Sequence, residues 1–282
     1  MPTHTAIDVL NFATQSVQMA PTAANGAAIA YGEAGEGPPL VLVHGSPAEG
    51  RAWGRVARHL GAFRVLTPDL PGYGGSDRLR HGAGTAAMAE AVAAVIDAAG
   101  APVWLAGHSY GGNVALHAAL ARRARIRGLA LFEPVFFRGL ALAGEHTVLA
   151  AAEAHFGDYV RRVEDGEHGA VSRMIDFWFG DGAFPKLPAP VQAYLVKSAV
   201  TNAADVKAAL TESVAAEALA AIGVPTLIAY GAASPAAVPA IARALAKLLP
   251  LASVEPIAGA THAMLDMHPE AVAALIGRVA AA

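Results

Sequence analysis

Val103-Trp104-Leu105-Ala106-Gly107-His108-Ser109-Tyr110-Gly111-Gly112-Asn113 is the stretch on which the reading of this chain turns. An apolar run of strand character leads into Gly107-x-Ser109-x-Gly111, and a helical pattern follows. Such a strand, turn and helix holds a serine hydroxyl on a tight corner. Glycines flank the corner because the neighbouring elements leave no room for Cβ atoms. The helix that follows points its N-terminus at the serine and favours negative charge developing there. Ser109 is therefore the expected nucleophile.

Outward from this corner, short apolar runs at 40–43, 65–67, 103–105, 129–132, 226–229 and 252–256 read as strands. Helical patterns near 52–60, 88–99, 113–122, 239–249 and 270–279 separate them. Alternation of this kind predicts a mainly parallel twisted sheet with helices on both faces. An antiparallel hairpin is expected around Asn25-Gly26, after an N-terminal extension at 1–20. The rhythm breaks over residues 137–222, which carry helical patterns and no further strand signal and read as an inserted helical cap between core segments 21–136 and 223–282. Within it, Phe177-Trp178-Phe179 lie beside chain-breaking Gly180, Gly182 and Pro185, a composition suited to a pocket wall. These three aromatics are candidate substrate-binding residues.

Three further stretches extend the pattern: His44-Gly45-Ser46-Pro47 after the first parallel strand, Pro68-Asp69-Leu70-Pro71-Gly72-Tyr73-Gly74-Gly75-Ser76-Asp77 after the next, and Gly259-Ala260-Thr261-His262 before the last helix. Together with the corner at Ser109 they resemble the α/β-hydrolase superfamily, in its serine-nucleophile branch with a helical cap, over about residues 22–282. The resemblance implies an acyl-enzyme mechanism. It places the oxyanion donors at the backbone N–H groups of Ser46 and Tyr110, and the general base at His262. His44 and His108 are then structural neighbours of the corner, and His268, in His268-Pro269-Glu270, begins the closing helix. An aspartate at the centre of the corner would have marked the haloalkane dehalogenase or epoxide hydrolase branches.

The acid is less regular. Family members commonly carry it after the strand at 226–229, but that loop reads Gly231-Ala232-Ala233-Ser234-Pro235, and residues 218–254 contain no Asp or Glu. Ser234 stands where the aspartate is expected. Glu133, which ends the strand after the nucleophile helix, is the leading substitute because some superfamily members take their acid from that strand. Asp266, Asp69 and Asp77 remain alternatives.

Composition bounds what else the chain does. With 282 residues and 55% apolar content it can bury a large core. A formal charge of −3, with Lys and Arg scattered, gives no footprint for nucleic acid or an anionic membrane. The absence of cysteine removes thiolate and disulfide chemistry and fits a cytoplasmic protein. The first residues lack the basic start and apolar run of a secretory signal. No phosphate-binding loop, dinucleotide fingerprint or metal-binding helix spacing stands out, so neither cofactor nor metal is expected. The partner expected is a small-molecule substrate. The resulting expectation is hydrolysis of a small to medium carboxylic ester or lactone by Ser109, His262 and Glu133. A carbon–carbon bond hydrolase, a cofactor-free perhydrolase or a non-catalytic ligand receptor would use nearly the same residues.

Overall fold

The computed structural model describes residues 16–20, 26–79 and 83–282. Its centre is an eight-stranded sheet in the order β1-β2-β4-β3-β5-β6-β7-β8. β1 (Ser16–Ala20) and β2 (Ile29–Ala34) pair antiparallel, and β2 lies antiparallel to β4 (Arg64–Pro68). The other pairings, through β3 (Pro39–Val43), β5 (Val103–His108), β6 (Ile126–Phe132), β7 (Thr226–Gly231) and β8 (Ala252–Ile257), are parallel. The extension expected at 1–20 thus ends in an edge strand, because its last five residues satisfy their amides on β2. Residues 1–15 and Asn25 of the expected hairpin lie outside the described residues.

β3 explains the apolar run that announced it. All five of its residues are buried because helices cover both faces. Leu40 and Leu42 face one core with Trp53, Leu275 and Ile276, whereas Val41 and Val43 face the other with Val92, Val114 and Leu245. The period-2 alternation therefore divides one strand between two helical layers. α1 (Gly54–Ala57), α10 (Met264–Met267) and α11 (Pro269–Ala281) lie on the first side. The helix expected near 52–60 is shorter than its pattern, a 3-10 turn at Gly50–Trp53 running into α1. α2 (Gly84–Ala98), α3 (Tyr110–Ala121) and α9 (Ala237–Ala246) cover the second side.

Between β6 and β7 the chain forms α4 (Phe137–Leu142), α5 (His146–Glu164), α6 (Val171–Phe179), α7 (Ala189–Thr211) and α8 (Ala216–Ala220). This helical cap packs over the C-terminal ends of the parallel strands, where open α/β sheets place their sites. Among the described residues no helix is long and apolar enough to cross a membrane.

Candidate active site

Ser109 connects β5 to α3 with φ 55° and ψ −128°, a left-handed conformation that a non-glycine residue adopts only when its surroundings enforce it. Those surroundings are tight. A Cβ on Gly107 would stand 2.2 Å from the Gly111 carbonyl oxygen, and one on Gly111 would stand 2.2 Å from that of His44. The Ser109 N–H donates to the Phe132 carbonyl at 2.9 Å, which ties the corner to the end of β6. Ser109 is nearly buried, at 6% exposure.

His262 lies on the loop after β8, and its Nε2 is 3.0 Å from Ser109 Oγ. Its Nδ1 is 2.6 Å from Glu133 Oε2. A carboxylate accepts only, so Nδ1 carries the proton and donates it to Glu133, leaving the Nε2 lone pair facing the serine. Glu133 is 1% exposed, and its Oε1 accepts two further bonds, from the Gly231 N–H and the Ser234 hydroxyl, both at 2.6 Å. Burial pushes the Glu133 carboxyl up, but the hydrogen bond and charge of His262 with these two donors outweigh it and hold the carboxyl below its ordinary value. Ser234, at the position where an aspartate is expected, thus donates to the Glu133 carboxyl just past the end of the neighbouring strand. Like Ser109, Glu133 has a positive φ, 47°, and its N–H donates to the Ala229 carbonyl of β7 at 2.8 Å.

The other candidate acids are paired with groups other than His262, although Asp266 borders the space beside it. Asp266 is mostly exposed and pairs with Arg55. Asp69 fastens two loops, accepting from the Gly50 and Gly75 amides at 2.7 and 2.8 Å. Asp77 accepts from the Ala28 N–H at 3.3 Å on the surface. His44 is fully buried and neutral: its Nδ1 donates to the Gly45 carbonyl, its Nε2 accepts the Leu70 N–H, and burial pushes its pKa down to about 4. His108, with its ring centroid 4.7 Å from that of His262, is pushed to about 3 by burial and by His262.

The cap contributes to the row through α6. Trp178 stacks on the His262 ring at 3.9 Å between centroids and 13° between planes, and Phe179 stands 6.4 Å from it. Phe177 faces away and packs on His155 and Phe156. Successive residues on a helix point about 100° apart, so three consecutive aromatics cannot share one wall. The expectation that Phe177 lines the pocket is corrected on that ground.

The loop at Ser46 closes over the serine: a Cβ on the adjacent Gly45 would stand 2.9 Å from Ser109 Cβ. The amides of Ser46 and Tyr110 have no backbone acceptor among the described residues, and that of Tyr110 is one of the free donors at the start of α3. A chain of side chains unannounced by any motif fixes Ser46 from above. Tyr159 donates to Asn202 Oδ1 at 2.7 Å, and Asn202 donates to Ser46 Oγ at 2.9 Å. Ser46 Oγ meets the Tyr73 hydroxyl at 2.7 Å, and Tyr73 donates to Asp205 Oδ2 at 2.6 Å. Asn202 and Asp205, one helical turn apart on α7, are each 1% exposed. Burial raises the Asp205 carboxyl to about 7, against the pull of Tyr73 and Ser46.

Two spaces meet at Ser109. The inner one, about 30 Å³, is enclosed by Tyr110, Val135, Phe137, Phe156, Val206 and Asp205. The outer one, about 340 Å³, is lined by His262, Phe179, Leu187, Val191 and Leu265. Ser46, Met174 and Trp178 border both.

Comparison with known proteins agrees with this architecture. The model of the alpha/beta hydrolase family matches residues 40–275. Pimeloyl-[acyl-carrier protein] methyl ester esterase of Stenotrophomonas maltophilia is 31% identical over 255 residues, 88% of this chain and 95% of that protein. Lipase LipV of Mycobacterium tuberculosis is 41% identical over 100 residues, 35% of this chain, so the match spans only 38% of the lipase. Among solved structures, a bromoperoxidase from Bacillus anthracis superposes with a TM-score of 0.77 at 21% identity, over 95% of this chain and 100% of that one, a likeness of fold alone.

Proposed function

Because the chain belongs to the alpha/beta hydrolase family, we propose that it is a serine hydrolase cleaving a small to medium carboxylic ester or lactone. The observation that carries this reading is the unbroken row from Glu133 through His262 to Ser109, at 2.6 and 3.0 Å. Esterase and lipase relatives support the choice of bond.

In this reading His262 Nε2 takes the Ser109 proton as Oγ attacks the substrate carbonyl. The carbonyl oxygen becomes an anion held by the amides of Ser46 and Tyr110, each such donor contributing about 3 kcal/mol in a dry site. Glu133 keeps the imidazole in the tautomer the attack requires and stabilises the imidazolium that forms. The tetrahedral intermediate collapses, its bond to the alcohol oxygen breaks, and the alcohol leaves with the proton from His262. Water then adds to the acyl-enzyme and gives a proton to His262, which returns it to Ser109 Oγ as the acid departs.

Purified protein treated with a fluorophosphonate is expected to be labelled at Ser109 and to hydrolyse a short-chain nitrophenyl ester. Ser109→Ala abolishes both. Glu133→Gln is expected to lower kcat by about 10³-fold or more, because the amide supports the wrong tautomer, whereas Asp266→Asn leaves turnover near the parent rate. A folded protein that shows neither labelling nor turnover would overturn the reading.

A further inference from the structure

The two spaces at Ser109 differ in size, enclosure and chemistry, and the proton path decides which part of an ester each receives. In the proposed reaction the leaving alcohol takes its proton from His262 Nε2, so the alcohol oxygen must lie against that ring. His262 lines the outer space and not the inner one. The inner space instead borders the helix-start residue Tyr110 and Val135, in the segment between β6 and α4. We propose that this enzyme acts on esters of short acyl groups with long apolar alcohols, the acyl group filling the small inner chamber and the alcohol lying along the outer groove. The inference rests on the serine hydrolase reading and names its substrate class.

The dimensions carry the first half. An inner volume of about 30 Å³ has room for roughly two water-sized groups, hence an acetyl or propionyl tail. Its walls do not yield easily. Phe137 and Phe156 are 3% and 2% exposed and pack on each other with centroids 5.4 Å apart. On the opposite wall Asp205 is tied to Tyr73. A long alkyl chain entering here would bring apolar carbons against that buried carboxyl, a further cost on top of displacing the wall.

The outer half runs the other way. Beyond the groove of about 340 Å³ lies a second hollow of about 430 Å³ that shares Pro47, Ala48, Ala52, Val191 and Leu195 with it. The two form one mainly apolar channel from His262 towards Tyr194, which is 38% exposed, with Asp266 and the paired Glu49 and Arg51 as its charged lining residues. An alcohol chain along it buries apolar surface with each added methylene, whereas the same methylenes on the acyl side meet the packed inner wall.

The test is a pair of ester series measured on the full chain alongside fluorophosphonate labelling. With the alcohol held as nitrophenol, kcat/KM is expected to fall at least about tenfold from acetate or propionate to octanoate. With the acyl group held as acetate, kcat/KM is expected to rise from the methyl to the octyl ester. Val206→Ala, which opens the inner wall, should raise the octanoate-to-acetate ratio at least about fivefold without altering the alcohol series; Val135→Ala is a second variant with the same expectation. Labelling at Ser109 with octanoate preferred, or with both variants leaving the ratio unchanged, would overturn the chamber assignment and leave the serine hydrolase reading standing. Labelling without turnover of any ester in either series would overturn the substrate class. Absence of both labelling and turnover would remove the underlying reading and this inference with it.

Discussion

At the scale of single residues the decisive feature is how the carboxyl of Glu133 is supported. Its two oxygens divide their work, Oε2 to His262 and Oε1 to Gly231 and Ser234. A hydrogen bond to a charged group contributes about 1.5–3 kcal/mol. Ser234→Ala removes one such bond while leaving the row in place. The ionised carboxyl then loses a donor that favours it, so Glu133 should titrate at higher pH. The expected outcome is an acid limb of kcat/KM displaced upward and kcat about threefold to tenfold lower, read from a pH–rate profile; an unmoved limb would show that the Ser234 hydroxyl does nothing for the acid. Ser109, His262 and Glu133 were legible as candidates because each ends a strand or sits on a loop whose flanking pattern is distinctive. The Ser234 bond was not, since a lone serine in a small-residue loop carries no signal until its neighbour strand is placed beside it.

At the scale of elements, α6 and α7 tie the cap to the chemistry in different ways. α6 lays Trp178 flat on His262, confining the ring in the plane that joins Ser109 and Glu133. Trp178→Ala is expected to lower kcat/KM for a short-chain nitrophenyl ester by about tenfold or more, through a freer imidazole and a widened pocket, whereas Trp178→Phe keeps a stacking face and most of the activity. Equal losses in the two variants would deny the stack its role. The aromatic cluster was readable from composition, but not which member points inward, because helix phase depends on how α6 packs. α7 reaches the Ser46 loop through Asn202, and through Asp205 by way of Tyr73. Asn and Asp within an alanine-rich helix read as its solvent face; only the tertiary structure shows them buried over Ser46. The strands, by contrast, were legible because parallel strands buried on both faces become short continuous apolar runs.

At the scale of the whole molecule, buried titratable groups set how stability follows pH. His44 and His108 have pKa values pushed down to about 4 and about 3 in the fold, so unfolding takes up protons below their ordinary value of about 6.5. Their contribution is present above that value and is lost as pH falls. Asp205 acts in the opposite sense. Its folded pKa of about 7 lies above the unfolded value of about 3.9, so its neutral form favours the fold at low pH and its contribution declines as pH rises towards 7. Between about pH 4.5 and 6 the two histidines bind two protons on unfolding and Asp205 releases one. Stability should therefore rise by about 1.4 kcal/mol per pH unit from these groups, and about twice as steeply in Asp205→Asn. Urea unfolding at several pH values measures both slopes; equal slopes in parent and variant would mean that Asp205 is ionised in the fold throughout.

The hydrogen bonds from Ser109 N–H to Phe132 and from Glu133 N–H to Ala229 hang Ser109 and Glu133 on the ends of adjacent strands. Their spacing is then a property of the sheet, and it resists any motion that does not shear β5, β6 and β7 against one another. The cap reaches this assembly only from the side, by a stacked ring and a hydroxyl chain. A displacement of α6 would uncover one face of His262 and leave the strand-set spacing of Ser109 and Glu133 unchanged. The sheet thus sets the spacing of Ser109 and Glu133, and changes within residues 137–222 that keep Trp178, Asn202 and Asp205 leave that spacing in register.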